Sequence, residues 1–488
     1  MMTTVGSADF IRILPELILS VFALLVMMLE PVTPLGKKTR LGWVSLAGVI
    51  LAGLAAAAIS YFPGAAFSAS ISNDGFSVYL IGLLLLISGL TLLGSMSYLE
   101  RDAVDHGEYY ALILMATVGA AFMVASTDLI MVFIGLEISS ISTYILAGYK
   151  RGEMQANESS VKYFLLGSFA TAFFLYGIAF VYGLTGTTNL DIVRETLTNS
   201  TGTPEPQLLW LAVILMFVGL GFKVSTAPFQ VWTPDVYQGA PAPVTGFLST
   251  APKAAAFAVL LRVLVGSFGH VASAGPVVFW LLWISAVLTM CVGNLAALWQ
   301  SNVKRLLAYS SIAHAGYVLV GVTAGGADGT SAVLFYLAGY ALMNVGAFIL
   351  IGHLAGPGER RTEVKDFTGL AAERPGMAAC LTVFMLSLAG FPSTVGFFAK
   401  FYVFRSAMHA HLTGLTIIAL LNSVVSVYYY LALVVAMYMG EGKTEVSESP
   451  VPRALGFAIA VSLLGIFFLG LFPSGLLRGL TSLHVPWL

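Results

Sequence analysis

Runs of mostly apolar residues, each about the length of a bilayer crossing, follow one another along the whole chain and are broken by short polar segments. A membrane-spanning helix needs roughly 20 predominantly apolar residues. On that measure spans are expected near 13–29, 41–61, 76–98, 108–126, 128–148, 160–184, 208–232, 243–267, 276–300, 303–324, 330–355, 376–407, 411–438 and 454–472. The breaks carry turn chemistry: Pro31 and Pro34, Pro63-Gly64, Asn73-Asp74-Gly75, Gly186, Pro204 and Pro206, Gly325-Gly326, and Pro357-Gly358. The pattern predicts an all-α polytopic membrane protein of about fourteen transmembrane helices. The first apolar run lacks a following small-residue cleavage site and reads as a retained helix rather than a signal peptide.

If the spans alternate in direction, the loops sort into two sides. One side collects Lys37, Lys38, Arg40, Arg101, Lys150, Arg151, Lys304, Arg305, Arg360, Arg361, Lys365, Arg374, Lys443 and Arg453. The other, with both termini, collects only Arg12, Arg194, Arg262, Arg405 and Arg478. The positive-inside rule then assigns the first set to the inner side and both termini to the outer, periplasmic side of a bacterial inner membrane. Four basic residues fit neither set, because Lys162, Lys223, Lys253 and Lys400 fall inside spans.

Composition agrees with the membrane reading and narrows the function. Of 488 residues 58% are hydrophobic and 10% charged, against about 25% charged in a soluble domain; mean hydropathy is +0.90. A net charge of −1 without a basic arm gives no sign of nucleic-acid binding. The two cysteines, Cys291 and Cys380, stand in apolar runs without a CxxC neighbour. They are expected to be small buried side chains, and an iron–sulfur or zinc site made by this chain alone is excluded.

The charges inside spans therefore carry the information. A charge at the bilayer centre costs at least about 2.5–3.5 kcal/mol on insertion scales, so these groups must pair, face the bundle interior or line water. Lys162 lies a few residues into its span and can snorkel to the inner surface, as Arg262 can to the outer one. Glu16 lies one turn from the outer surface and suits a structural or interfacial role. Glu137, Lys223, Lys253 and Lys400 are deeper, and a structural ion pair is the competing reading for each. Lysine in water titrates near 10.4, too high for ready proton exchange; desolvation lowers such a group and a nearby carboxylate raises it again. A movable Glu–Lys pair is thus a proton switch, and Glu137 with Lys223 is the best candidate for one. Ser139, Ser140, Ser142, Thr143, Ser225, Thr226, Ser310, Ser311 and His314 could order water nearby, although a hydroxyl in a helix commonly bonds back to its own backbone. His314 has no second ligand at i+3 or i+4, which favours a structural or water-ordering role over metal binding.

Two of the lysine helices are interrupted. In one, Pro228 follows Lys223 and frees a carbonyl about four residues earlier, beside the lysine. In the other, Gly390-Phe391-Pro392 precedes Lys400. Freed backbone at membrane depth must be satisfied by protein or water, and interruptions at corresponding places in two halves point to inverted repeats and an ion path. The expected units are 1–107 (helices 1–3), 108–270 (a first five-helix repeat, helices 4–8), 271–440 (a second, helices 9–13) and 441–488 (helix 14). A plain kink competes with this reading, because the lysine precedes the proline in one helix and follows it in the other.

The stretch GFKVSTAPFQVWTPDVYQGAPAPV at Gly221–Val244, followed by Ser249-Thr250-Ala251-Pro252-Lys253, resembles the span 7–8 signature of the antiporter-like subunits of respiratory complex I, in the form carried by subunit N and its mitochondrial counterpart, subunit 2. Gln300 to His314 is similar to that family's span 9–10 junction, and Gly390 to Phe401 to its span 12. The resemblance implies proton-relay roles for Glu137, Lys223, Lys253 and Lys400, with Lys162 as a further lysine. It implies entry from the inner side near Glu137 and Lys223, lateral transfer through Lys253, and exit to the outer side from Lys400. It also implies a proton-translocating subunit of NADH:quinone oxidoreductase, a translocase without a redox centre of its own. NADH, FMN, iron–sulfur clusters and quinone would be handled by partner subunits, with subunits M and K as membrane-arm neighbours. Lys400 argues against sister subunit M, which resembles this chain but carries glutamate there; only about 16 residues follow the last span, which argues against subunit L with its long lateral helix. The alternatives are a subunit of a multisubunit sodium/proton antiporter, a membrane subunit of an energy-converting hydrogenase, and a structural spacer.

Overall fold

The computed structural model describes residues 6–34, 36–199, 206–440 and 449–483. Pro204 and Lys443, which entered the loop reading above, lie outside the described residues. Twelve helices are long and apolar enough to cross a membrane: Thr39–Ile59, Gly75–Arg101, Gly107–Ala125, Leu129–Ala147, Met154–Thr185, Pro206–Gly239, Ala242–Phe268, Gly275–Ala297, Val303–Ala324, Gly326–Leu354, Thr413–Met439 and Arg453–Leu471. Leu14–Leu29 and Pro375–Ala389 are shorter and apolar. The protein is therefore an all-helical polytopic membrane protein. The expected span 376–407 is divided, because Pro375–Ala389 stops at Gly390 (φ +93°) and Val395–His409 begins after it.

Helix starts follow from residues at the breaks. The Asp74 carboxylate accepts from the Ser77 amide at 2.7 Å and caps Gly75–Arg101. Asp128 does the same for Leu129–Ala147, and Asn302 for Val303–Ala324. Such caps satisfy amides that the first helical turn leaves without partners. Met154–Thr185 ends at Gly186 in the left-handed region (φ +71°), which glycine adopts without a Cβ clash.

Gly326–Leu354 occupies the centre, with every residue from Gly329 to Leu354 buried. Ala242–Phe268 is almost as enclosed. Peripheral helices turn large apolar side chains outward, among them Phe164, Leu165 and Phe169, and Leu421, Val424 and Tyr428. This is the arrangement expected of a protein whose solvent is lipid. Two helix pairs approach closely through glycine. A Cβ on Gly119 would lie 2.4 Å from the Ser139 amide nitrogen, and one on Gly293 would lie 2.5 Å from that of Ala313. Small residues permit such contact where no hydrophobic effect drives helices together.

The loops gather on two faces. On one, the hairpin Gly64–Ala66/Ile71–Asn73 meets Ser126, and Asp128 meets Asn189. On the other, Glu30 pairs with Lys38 and accepts from the Gly107 amide, while Asn302 bridges to Glu363. Two sequence expectations change here. Arg262 does not snorkel: it is buried, ion-paired to Asp74 at 3.1 Å and stacked over the Phe76 ring. Cys291 and Cys380 are partly rather than fully buried, because each sits toward the outward side of its helix.

Candidate functional site

Lys223 closes the helix Pro206–Val224, which ends there because Ser225 adopts a left-handed conformation (φ +62°). The interrupted backbone is satisfied by a different helix. Thr289, on Gly275–Ala297, bonds the Thr226 hydroxyl at 2.7 Å and accepts from the Ala227 amide at 2.9 Å. The Lys223 ammonium lies 5.2 Å from the ring centres of both Tyr144 and Tyr163, and its Nζ stands 3.4 Å from the Tyr163 hydroxyl. Glu137 points an Oε1 into the protein that has no hydrogen-bond partner. No ion pair joins it to Lys223 among the described residues, so the expected Glu137–Lys223 contact is open in this structure.

A stack of rings lies beyond Lys223. Tyr163 stacks on Trp232 at 4.5 Å, and Trp232 meets Tyr237 edge-on at 6.0 Å. The ammonium of Lys253 then lies 5.7 Å from the Tyr237 ring centre. Lys253 stands in the first turn of Ala251–Val259, after an interruption at Ser249 and Thr250 that the apolar pattern did not foretell. Its Nζ donates to Ser311 Oγ at 2.6 Å.

Ser311, His314 and Tyr317 are spaced by three along Val303–Ala324, so they share one face, each about 4.5 Å further along the axis. His314 is held at both ring nitrogens, by Tyr336 at 2.6 Å and Tyr430 at 3.1 Å, and Tyr430 also bonds Ser310. The ring of Tyr317 lies 5.2 Å from the Lys400 ammonium. The stripe therefore runs from the hydroxyl that holds Lys253 to the ring beneath Lys400. Lys400 donates to the Ala389 carbonyl at 2.8 Å, the acceptor freed by the break at Gly390, and to Ser423 Oγ at 3.1 Å.

Lys223, Lys253 and Lys400 are 3%, 3% and 5% exposed. None has a carboxylate at ion-pair distance among the described residues, and each has a tyrosine ring instead. A ring quadrupole stabilises a cation less than a carboxylate does, so all three can give up a proton without leaving a buried anion behind. Lys162 differs: its side chain is 40% exposed and pairs with Glu158 at 2.5 Å and Asp235 at 2.7 Å, at the rim rather than in the buried row. Glu16 is buried, with an unpartnered Oε2. The tyrosines around the lysines escaped the sequence reading, which looked for charge and small hydroxyls. The i, i+3 spacing of Ser311, His314 and Tyr317 was the available signal. Lys304, expected in an exposed loop, is buried against Glu359.

The profile of a family described as NADH:quinone oxidoreductase/Mrp antiporter, TM, matches residues 126–426. The chain is 48% identical over 476 residues to NADH-quinone oxidoreductase subunit N 1 of Solibacter usitatus, covering 97% of each chain. Its fold matches a chain of respiratory complex I from Thermus thermophilus with bound aureothin, with a TM-score of 0.81, 36% identity, and coverage of 96% of this chain and 100% of that one. A chain of the Mrp complex from Dietzia sp. has the same fold at a TM-score of 0.82, with 20% identity and 96% of each chain covered.

Proposed function

The chain belongs to the NADH:quinone oxidoreductase/Mrp antiporter family as a subunit N of NADH-quinone oxidoreductase, a proton-translocating part of the membrane arm of complex I, and from that premise we propose that its protons move along Glu137, Lys223, Lys253 and Lys400, with His314 between the last two and Lys162 at the rim. The observation that carries this reading is the burial of three lysines without carboxylate partners, two of them linked by the stripe Ser311, His314 and Tyr317. A buried lysine that served structure alone would be expected to hold an ion pair, as Arg262 and Lys304 do.

Protons enter from the inner side near Glu137 and Lys223. A proton on Lys223 is held while Glu137 closes on it and is passed on when the pair opens. The rings of Tyr163, Trp232 and Tyr237 separate Lys223 from Lys253, so transfer between them needs water or a ring movement and is gated. From Lys253 the Ser311 hydroxyl, the His314 imidazole and its tyrosines lead to Lys400, from which the proton leaves to the outer side.

The redox cofactors of the complex are in other subunits. We assign NADH, FMN, iron–sulfur clusters and quinone to those partners, with subunits M and K as neighbours in the bilayer. Counting Leu14–Leu29 as one crossing, and Pro375–Ala389 with Val395–His409 as one broken crossing, gives fourteen, with both termini on the periplasmic side of the inner membrane. Residues 108–270 and 271–440 are read as inverted five-helix repeats. In support, each opens with a glycine-packed helix pair, and the fourth helix of each is broken beside a lysine. The test is proton pumping per NADH oxidised, in vesicles containing the assembled complex, with Glu137, Lys223, Lys253 and Lys400 neutralised one at a time. Full pumping by all four variants would overturn the assignment.

A further inference from the structure

On the face that carries the more basic loops, four charged side chains from four separate loops meet with alternating sign. Lys150 pairs with Asp102 at 2.6 Å, and Lys304 pairs with Glu359 at 2.5 Å. The second pair is nearly sealed, its side chains 3% and 8% exposed. A buried ion pair recovers its desolvation cost poorly and is weak as a stabilising device, so its depth asks for another reason.

The surroundings supply one. Both members of the pair line a half-enclosed polar cavity of about 340 Å³, together with Lys150, Gln238, Asn302 and Glu363. Lys304 donates to the Ala240 carbonyl at 2.7 Å, and Glu359 Oε1 accepts from the Ala242 amide at 2.6 Å. Ala240 and Ala242 flank the turn into Ala242–Leu248, the segment that leads to Lys253. Lys304 also shares a helix and a face with Ser311, seven residues on, about 10.5 Å along the axis. Ser311 is the group to which Lys253 donates. The pair thus stands between a polar cavity at the inner face and the two elements that hold Lys253.

We propose that Lys304 and Glu359 form a second inner gate, which admits protons from this cavity to Lys253 independently of the entry at Lys223; the proposal rests on the relay reading above. The Glu359 carboxylate takes a proton from hydronium in the cavity, forming a neutral carboxyl and leaving water. That cancels the charge holding Lys304 and loosens the turn at Ala240 to Ala242. The carboxyl then gives the proton, through water and the Ser311 hydroxyl, to the neutral Lys253 amine. The regenerated carboxylate pairs with Lys304 again and closes the gate.

The test compares assembled complexes carrying Glu359→Gln, Lys304→Gln with Glu359→Gln, and Glu359→Asp, reading NADH oxidation and acidification of inverted membrane vesicles. Both neutral variants are expected to lower the acidification rate at least threefold at equal amounts of complex. A double variant that assembles and pumps at the wild-type ratio overturns the gate, because it keeps the packing and removes only the titratable pair. If the neutral variants do not assemble, Glu359→Asp decides. Its acidification rate against pH should move by at least half a pH unit, and an unmoved profile overturns the gate. Lys223→Ala measured in parallel keeps the two readings apart. Normal pumping by that variant defeats the relay, whereas its loss beside a normally pumping double variant defeats the gate alone.

Discussion

Lys400 reaches back across the break in its own membrane segment and donates to the carbonyl of Ala389 at 2.8 Å. The interruption is therefore what allows a buried ammonium to be held without a carboxylate. Ala389 would give its carbonyl to a helical amide if the helix ran on through Gly390. Because the helix stops there, with Gly390 at φ +93°, that oxygen faces the lysine.

Gly390→Ala should disturb this arrangement directly. A Cβ at Gly390 would lie 3.2 Å from Lys400 Cδ and 3.4 Å from Nζ, in a left-handed backbone that costs a non-glycine residue about 1–3 kcal/mol. We expect the variant to assemble with proton pumping reduced at least twofold. Vesicle acidification at matched NADH oxidation measures it, and unchanged pumping would show that the Ala389 carbonyl is dispensable.

His314→Ala leaves the buried hydroxyls of Tyr336 and Tyr430 without their ring-nitrogen partner. Each unsatisfied buried group costs about 1–3 kcal/mol. The membrane arm should lose thermal stability, and pumping should fall together with it. Tyr336→Phe in the same background should recover part of the stability by removing one orphaned hydroxyl, but none of the pumping. Thermal unfolding in detergent and vesicle acidification separate the two effects.

Helix packing offers a sharper contrast. Gly119→Val and Gly293→Val each drive a side chain into the backbone of a neighbouring helix, at 2.4 and 2.5 Å for the Cβ alone. Gly53→Ala and Gly183→Ala meet nothing within 4 Å. The first two should abolish accumulation of the assembled subunit and the last two should leave it intact, as judged by native gel analysis of membranes.

Acid should open the Lys304–Glu359 pair. Burial alone would raise the Glu359 carboxyl, but the Lys304 and Lys150 ammonium groups outweigh it and hold the carboxyl below the ordinary glutamate range. The sign follows from linkage. A carboxyl depressed in the folded state contributes stability in full above its unfolded value of about 4.3, and loses it as the pH falls through the lower folded value. Thermal stability of the purified complex should drop on acidification through that window. Glu359→Gln should flatten the drop, and an identical acid profile in the variant would remove the pair as its cause.

Much of the architecture was legible in the chain because lipid imposes a length and a polarity on every crossing. Apolar runs near 76–98, 128–148 and 303–324 became Gly75–Arg101, Leu129–Ala147 and Val303–Ala324. Depth along a span likewise separated Lys162 from Lys223, Lys253 and Lys400, since a side chain a few residues inside the boundary can reach water. The same logic failed for Arg262, which has the reach to leave the membrane but is retained by Asp74 and covered by neighbouring elements.

The sequence by itself determined a polytopic helical membrane protein, the lysines at depth, and the glycine and proline positions at which two of their helices stop. Those are properties of local composition, and hydration and backbone geometry act on them locally. Tertiary structure alone decided which groups meet the lysines: tyrosine rings from other helices, Thr289 beneath the break after Lys223, Ser311 at Lys253, and Glu359 folded over Lys304. Those partners lie up to 101 residues away or more in the chain (Tyr317 and Lys400 are 83 apart), and only the packing of complete helices brings them together.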